Sequence, residues 1–433
     1  MENILKQIRF EFILAWLVFL LFIRVLYDRL TAFYHILIDT SNIDYRDFEI
    51  SDWLINYEGG FVRRGLIGQI LLNMEQIHLY DVRLAISIIC LTTSIVLLLL
   101  IVRIFKEEGW SFLILPTGFI FGFTLFRLGG RRDLLSFLLT YIIFLLFRKV
   151  VSRSGNKVVW WILFYAVSVL QILVHEASFF YTFPILMLFL FQKQRNFPFI
   201  RNCMSCLLRF MPILLAMAVV CIFKGDSNTA IIIWNSWGDV FTHFPCDCNL
   251  TVIGDGVNAL TWGAQETFIN HLTASYIGTH SPSYFHIPIA IFNLFAAYYL
   301  ASRINAIDMG FYKNKVMDKV YMSNVLLIQF IAMIPMFTVL SCDWGRTIPY
   351  WILTSLFFYH LFKEDRIESL PFLTGISYKA QNQISSNTVL CNNYTYIILV
   401  LVTPIPFACA PFDYSNTFQQ GMLNFEYIFS FMM

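Results

Sequence analysis

Runs of Leu, Ile, Val and Phe recur from one end of this chain to the other, as in "FEFILAWLVFLLFIRVLY" near residue 10. Many of them are about long enough to cross a hydrocarbon layer of ~30 Å. No soluble core needs so much apolar surface: 58% of the 433 residues are hydrophobic, 45 are Phe, and only 13% are charged, about half the share usual in a soluble domain. The expected fold is all-α, a polytopic helical membrane protein forming a single integral membrane domain over 1–433. About eleven spans are read, at roughly 10–28, 84–104, 110–126, 134–147, 158–174, 177–191, 204–223, 285–302, 320–340, 348–362 and 394–411. The first run has no small-residue cleavage site after it and is read as a retained span.

Charge sets the expected topology. One alternating set of loops holds Lys6, Arg9, Arg103, Lys106, Arg148, Lys149, Arg153 and Lys157, and further along Lys193, Arg195, Arg201, Arg303, Lys313, Lys315, Lys319, Lys363, Arg366 and Lys379. Cytoplasmic loops are the basic ones, so the N-terminus is expected inside and the C-terminus outside. Most of the acidic residues fall on the other side, chiefly in two long outer loops at roughly 29–83 and 224–284. In the first, "DFEISDWLINYEGGFVRRGLIGQILLNM", Leu66, Ile67, Ile70 and Leu71 recur at i, i+1, i+4 and i+5 in the manner of short interfacial helices, broken at Gly59-Gly60.

Four charged clusters fall on that outer face. The first loop carries Asp52, Glu58, Arg63 and Arg64; "FRLGGRRD" carries Arg127, Arg131, Arg132 and Asp133; "LVHEASFF" carries His175 and Glu176; "SCDWGR" carries Asp343 and Arg346. Ionisable groups near the headgroup level are costly and tend to pair or to serve a site. The outer basic residues are nearly all Arg, whose planar fork matches phosphate and carboxylate bidentately. The plainer readings stand beside this one. "RRD" also fits a snorkelled loop tip whose Asp133 caps the next helix, "HE" fits a span terminus, and "DWGR" fits a local ion pair.

An acidic first outer loop with short interfacial helices, after one N-terminal span, resembles membrane glycosyltransferases of the GT-C type. The arginine-rich outer face is also similar to Wzy-type polymerases of O-antigen and capsular polysaccharide. The resemblance implies a bacterial plasma-membrane enzyme acting on polyprenyl-(di)phosphate-linked sugars, most simply polymerising repeats, with a single-sugar transferase as the alternative. It implies Glu58 or Asp52 as the catalytic acidic group, to which the "HE" cluster adds His175 and Glu176 as catalytic candidates. It implies Arg63, Arg64, Arg127, Arg131, Arg132, Asp133, Asp343 and Arg346 as substrate contacts. The bilayer, the lipid-linked glycan, and a chain-length regulator or other glycan-assembly proteins are the partners implied.

Other chemistry is weakly signalled. There is no basic tail for nucleic acid, no phosphate-cradling glycine loop and no dinucleotide fingerprint, so no cofactor is expected. "HFPCDC" is a poor metal set, and no metal is expected. Cys342 in an outer turn could pair with Cys246 or Cys248. Trp234, Trp237 and Trp262 in the second long loop suit either sugar stacking or an interfacial aromatic belt. A transporter or flippase would place charges in mid-span, where only Arg24 and Arg209 come close. A structural subunit is the third reading.

Overall fold

The computed structural model describes residues 48–76, 82–115, 131–152, 157–194, 198–238, 255–263, 286–307, 317–340, 344–365 and 371–402, with a few isolated positions between them. All regular secondary structure among the described residues is helical. Short helical turns at Phe48–Ser51 and Asp52–Leu54 precede α1 (Gly65–Gln76) and α2 (Val82–Glu108). Then come α3 (Asp133–Val151), α4 (Lys157–Val174), α5 (Ser178–Lys193), α6 (Phe199–Ile222) and α7 (Ser227–Asn235). The later helices are α8 (His286–Ser302), α9 (Lys319–Ala332), α10 (Trp344–Phe362), α11 (Pro371–Ser386) and α12 (Asn393–Val402).

Among the described residues, four helices are long and apolar enough to cross a bilayer: Leu84–Glu108 of α2, then α3, α4 and α6, with 25, 19, 18 and 24 residues. The shortest spans about 27 Å at ~1.5 Å per residue. Their outward faces stay apolar. Leu99 is 66% exposed, Ile162 61% and Ile222 73%, a surface that water would not tolerate and lipid does. This is a helical membrane protein.

The other expected spans fare differently. That at 10–28 lies outside the described residues apart from isolated positions. The described start of 110–126 is a 3-10 turn, Phe112–Ile114, entered when Ser111 Oγ accepts from Leu113 N. The run at 320–340 divides into α9 and a short helix Ile334–Thr338, because Pro335 sits in the first turn of the second piece and has no N–H for the first. The polar stretch "PFLTGISYKAQNQISS", which the hydropathy pattern leaves as a loop between spans, is helix α11.

The chain forms two compact units, and their boundary falls inside α2. One comprises Met1–Leu30, Leu98–Phe126 and Thr267–Met433. Within it α9 and α10 are tied by Trp351 Nε1 donating to the Leu326 carbonyl (2.7 Å) and Gln329 Nε2 donating to Thr354 Oγ1 (2.9 Å). The buried Glu108 carboxylate takes His360 and Lys363 of the α10 end.

The other unit comprises Thr31–Leu97 and Arg127–Glu266, and so takes in 31–83 of the first expected outer loop and 224–266 of the second. Helix α3 packs on α4, with α5 and α6 beside them and α1 against α4. Helix α3 starts on Asp133 and ends on Arg148 and Lys149, charges that suit the two ends of its dipole. Helix α7 starts where Asp226 Oδ1 accepts from Thr229 N at 2.8 Å. Between α3, α4 and α5, the Gln171 amide donates to Thr140 Oγ1 (2.6 Å) and to the Ser136 carbonyl (3.1 Å), and Ser136 Oγ meets Tyr181 OH (2.6 Å).

The two long loops share one apolar core. Trp53, Leu54, Ile55 and Val62 of the first pack with Ala230, Ile233, Trp234, Trp237, Val257 and Leu260 of the second. Trp237 Nε1 donates to the Leu54 carbonyl (2.8 Å), Asn56 Nδ2 to Ser236 Oγ (2.9 Å), and Gly256 N to Ser51 Oγ (2.8 Å). Both readings offered for the second loop's tryptophans therefore miss two of them. Trp234 and Trp237 have no exposed surface and act as core.

Candidate functional site

Three of the four charged clusters meet at one end of the helix group α3–α4–α5. Asp133 opens α3, His175 and Glu176 form the turn between α4 and α5, and the first loop lies against them. Arg64 is the hinge of the arrangement. Its Nε and Nη2 each stand 2.7 Å from a different oxygen of Glu176, a bidentate fork, while its Nη1 lies 3.2 Å from Asp52 Oδ1. Arg63 approaches Glu176 Oε1 at 3.5 Å and donates from Nη2 to the Ala259 carbonyl at 2.7 Å. Asp133 Oδ1 lies 3.3 Å from His175 Nε2.

Arg132 works from behind. Its side chain has no exposed surface; Nε stands 3.4 Å from Asp52 Oδ2, and its two Nη groups donate to the backbone carbonyls of Arg64 and Asp52. The guanidinium also lies over the Trp53 ring, 5.4 Å from its centroid. Its place is structural support of the loop that carries Arg64. Arg131, next to it, is buried as well.

The backbone is adapted to this. Arg64 has a φ of 64°, the only non-glycine among the described residues on the left-handed side, where L-residues seldom rest. Gly60 has a φ of 98° and turns the chain between the two helical pieces of the first loop, at the break that Gly59-Gly60 suggests.

Burial and charge oppose each other here. Burial pushes the Glu176 carboxyl up, but the Arg64 and Arg63 guanidinia outweigh it and hold the group far below the usual carboxylate range. Burial likewise works against the Asp52 charge, and Arg132 and Arg64 together bring the group below its ordinary value. Arg63 and Arg132 are lowered by burial, only partly offset by Glu176 and Asp52.

The remaining expected residues stand apart. Glu58 is exposed, and its Oε1 accepts from Gln69 Nε2 at 3.2 Å, with Asn73 Oδ1 accepting from the same amide at 2.9 Å. Arg346 belongs to the other unit, at the start of α10; Arg127 and Asp343 lie outside the described residues, as do Cys246, Cys248 and Cys342. Sequence reasoning missed Trp53, although it adjoins Asp52, and the Ala259 carbonyl, which no side-chain pattern could reveal. Among the described residues no group of His, Cys, Asp and Glu is placed to hold a metal ion. No family model, curated protein or solved structure matches the chain.

Proposed function

We propose that the protein is a glycan-assembly enzyme of a bacterial plasma membrane, acting at the outer face on polyprenyl-(di)phosphate-linked sugars and most simply polymerising O-antigen or capsular repeats. The observation that carries this reading is the convergence of Asp52, Arg63, Arg64, Arg132, Asp133, His175 and Glu176, from three distant stretches of sequence, at one end of apolar helices. On this reading the cluster lies at the depth where a lipid carrier presents its phosphates, and it is suited to an anionic headgroup on a lipid tail. In this reading the chain crosses the membrane about eleven times, N-terminus in the cytoplasm and C-terminus outside. A chain-length regulator is its natural partner.

The chemistry assigns roles. Arg63 and Arg64, at the accessible edge of the cluster, take the diphosphate and stabilise the charge that it gains on leaving. The acceptor hydroxyl oxygen forms a bond to the anomeric carbon, the bond from that carbon to the diphosphate oxygen breaks with its electron pair, and the hydroxyl proton passes to His175. Asp133 orients the imidazole, as a carboxylate does for a histidine base. Asp52 and Arg132 keep Arg64 in place, and Glu58 with Gln69 and Asn73 offers hydrogen bonds to sugar hydroxyls at the rim.

The test uses cells complemented with variants and reads glycan chain length on gels. Arg64→Lys, which keeps the charge and loses the fork, and His175→Asn each reduce chain extension by about 100-fold or more at normal membrane abundance. Wild-type ladders from both variants overturn the reading.

A further inference from the structure

We infer that Glu176 occupies, in the resting protein, the seat that a substrate phosphate takes in the working one. The inference rests on the glycan-assembly reading and adds to it a carboxylate that must be displaced before substrate binds.

The geometry of the pair is that of anion recognition. Two oxygens of Glu176 face two nitrogens of Arg64 at 2.7 Å each, the fork that an arginine offers equally to two oxygens of a phosphate. Arg63 comes to the same carboxylate, and its Nε is buried without a hydrogen-bond partner among the described residues, so a larger anion would find a further donor here. Access is one-sided. The side chains of Arg63, Arg64 and Glu176 are 22%, 16% and 14% exposed, whereas Arg132 behind them has no exposed surface.

What would remain after displacement is also in place. Asp52 still holds Arg64 from below, and Arg132 still holds the carbonyls of Asp52 and Arg64. The backbone of the turn that carries Glu176 is fixed, since Ser178 N donates to the His175 carbonyl and Phe179 N to the Glu176 carbonyl. Only the Glu176 side chain needs to rotate. A diphosphate brings more charge and more acceptor oxygens than one carboxylate, so the exchange runs in its favour.

The experiment measures binding of inorganic pyrophosphate to the full chain purified in detergent, by calorimetry, with melting temperature as the check on folding. The expected result is that Glu176→Gln binds pyrophosphate about tenfold or more tightly than the wild type, and that Arg64→Lys on that background removes the gain. Glu176→Asp, which keeps the charge but draws it back by one methylene, falls between the two. Unchanged or weaker binding by Glu176→Gln overturns the inference. So does loss of folded protein in both Glu176 variants, which would make the carboxylate a fixed structural partner. If Arg64→Ala abolishes pyrophosphate binding by the wild type while Glu176→Gln brings no gain, the displaceable carboxylate is refuted and the glycan-assembly reading stands. If no form binds pyrophosphate and Arg64→Ala cells keep wild-type glycan ladders, that reading falls as well.

Discussion

Asp52, buried, and Glu176, partly exposed, are carboxylates that stay charged because arginines surround them, and this gives the protein a defined response to acid. A carboxylate whose pKa is lower in the folded than in the unfolded chain stabilises the fold at every pH above the unfolded value, and the contribution fades as pH falls through the folded one. Both groups are of this kind, against ordinary values of 3.8 and 4.5. Their contribution is therefore whole at neutral pH and starts to fade only as pH drops below about 4.5. Melting temperature in detergent should be level from about pH 8 to 5 with respect to these groups and fall below about pH 4. Glu176→Gln should flatten that acid limb, and an unchanged limb would show that the arginines do not sustain the charge. At this scale the sequence was a good guide to which residues gather. The strings "RRG", "RRD" and "HE" name most of the cluster, since charges in short loops between apolar runs have few places to go. It was a poor guide to what each arginine does. Arg132 and Arg64 read alike as letters, yet one bonds backbone carbonyls in the interior and the other reaches an accessible carboxylate.

At the scale of elements, α1 shows how closely the first loop is fitted. An ideal Cβ at Gly68 would stand 1.9 Å from the Ile55 carbonyl oxygen and 2.8 Å from that of Trp53, both backbone atoms that cannot step aside. Two effects of Gly68→Ala then compete. Helix propensity favours alanine by about 1 kcal/mol, while the clash forces the loop away from the helix at a cost of roughly 1–3 kcal/mol or more. The clash wins, so Gly68→Ala should lower the melting temperature and, on the glycan-assembly reading, shorten glycan chains. A stabilised variant with full-length chains would mean that α1 does not rest on the Asp52 turn. The element pattern was legible where apolar runs were long, as in α2, α3, α4 and α6. It was illegible where local chemistry divides a run, as at Pro335, and where a helix is polar, as in α11. The shared core of the two long loops could not be read either. Trp53 and Trp234 lie far apart in sequence, and an indole looks the same whether it faces lipid, sugar or another indole.

The whole chain tests the topology. Helix α3 carries Arg148 and Lys149 at its end and Asp133 at its start, the polarity expected if the charged cluster faces out and the basic end faces the cytoplasm. Reporters fused after Ile55, Gly155 and Asp255 should give outer-compartment activity at the first and third positions and none at the second. Outer activity at Gly155 would invert the protein and overturn the reading that its charged cluster meets a diphosphate-linked substrate at the outer face. The division into two units was hidden at this scale, because the boundary between Leu97 and Leu98 falls inside an unbroken apolar helix with no change of composition to mark it.

The bonds from Arg132 also impose an order of birth. Its acceptors, the carbonyls of Arg64 and Asp52, precede it by 68 and 80 positions, and Glu176 follows Arg64 by 112. A ribosome delivers residues at roughly 5–20 per second. For several seconds the nascent first loop therefore has Asp52, Arg63 and Arg64 but neither the staple that shapes it nor the carboxylate that neutralises it. The cluster is completed only once α3 and the turn between α4 and α5 have followed the first loop out of the ribosome.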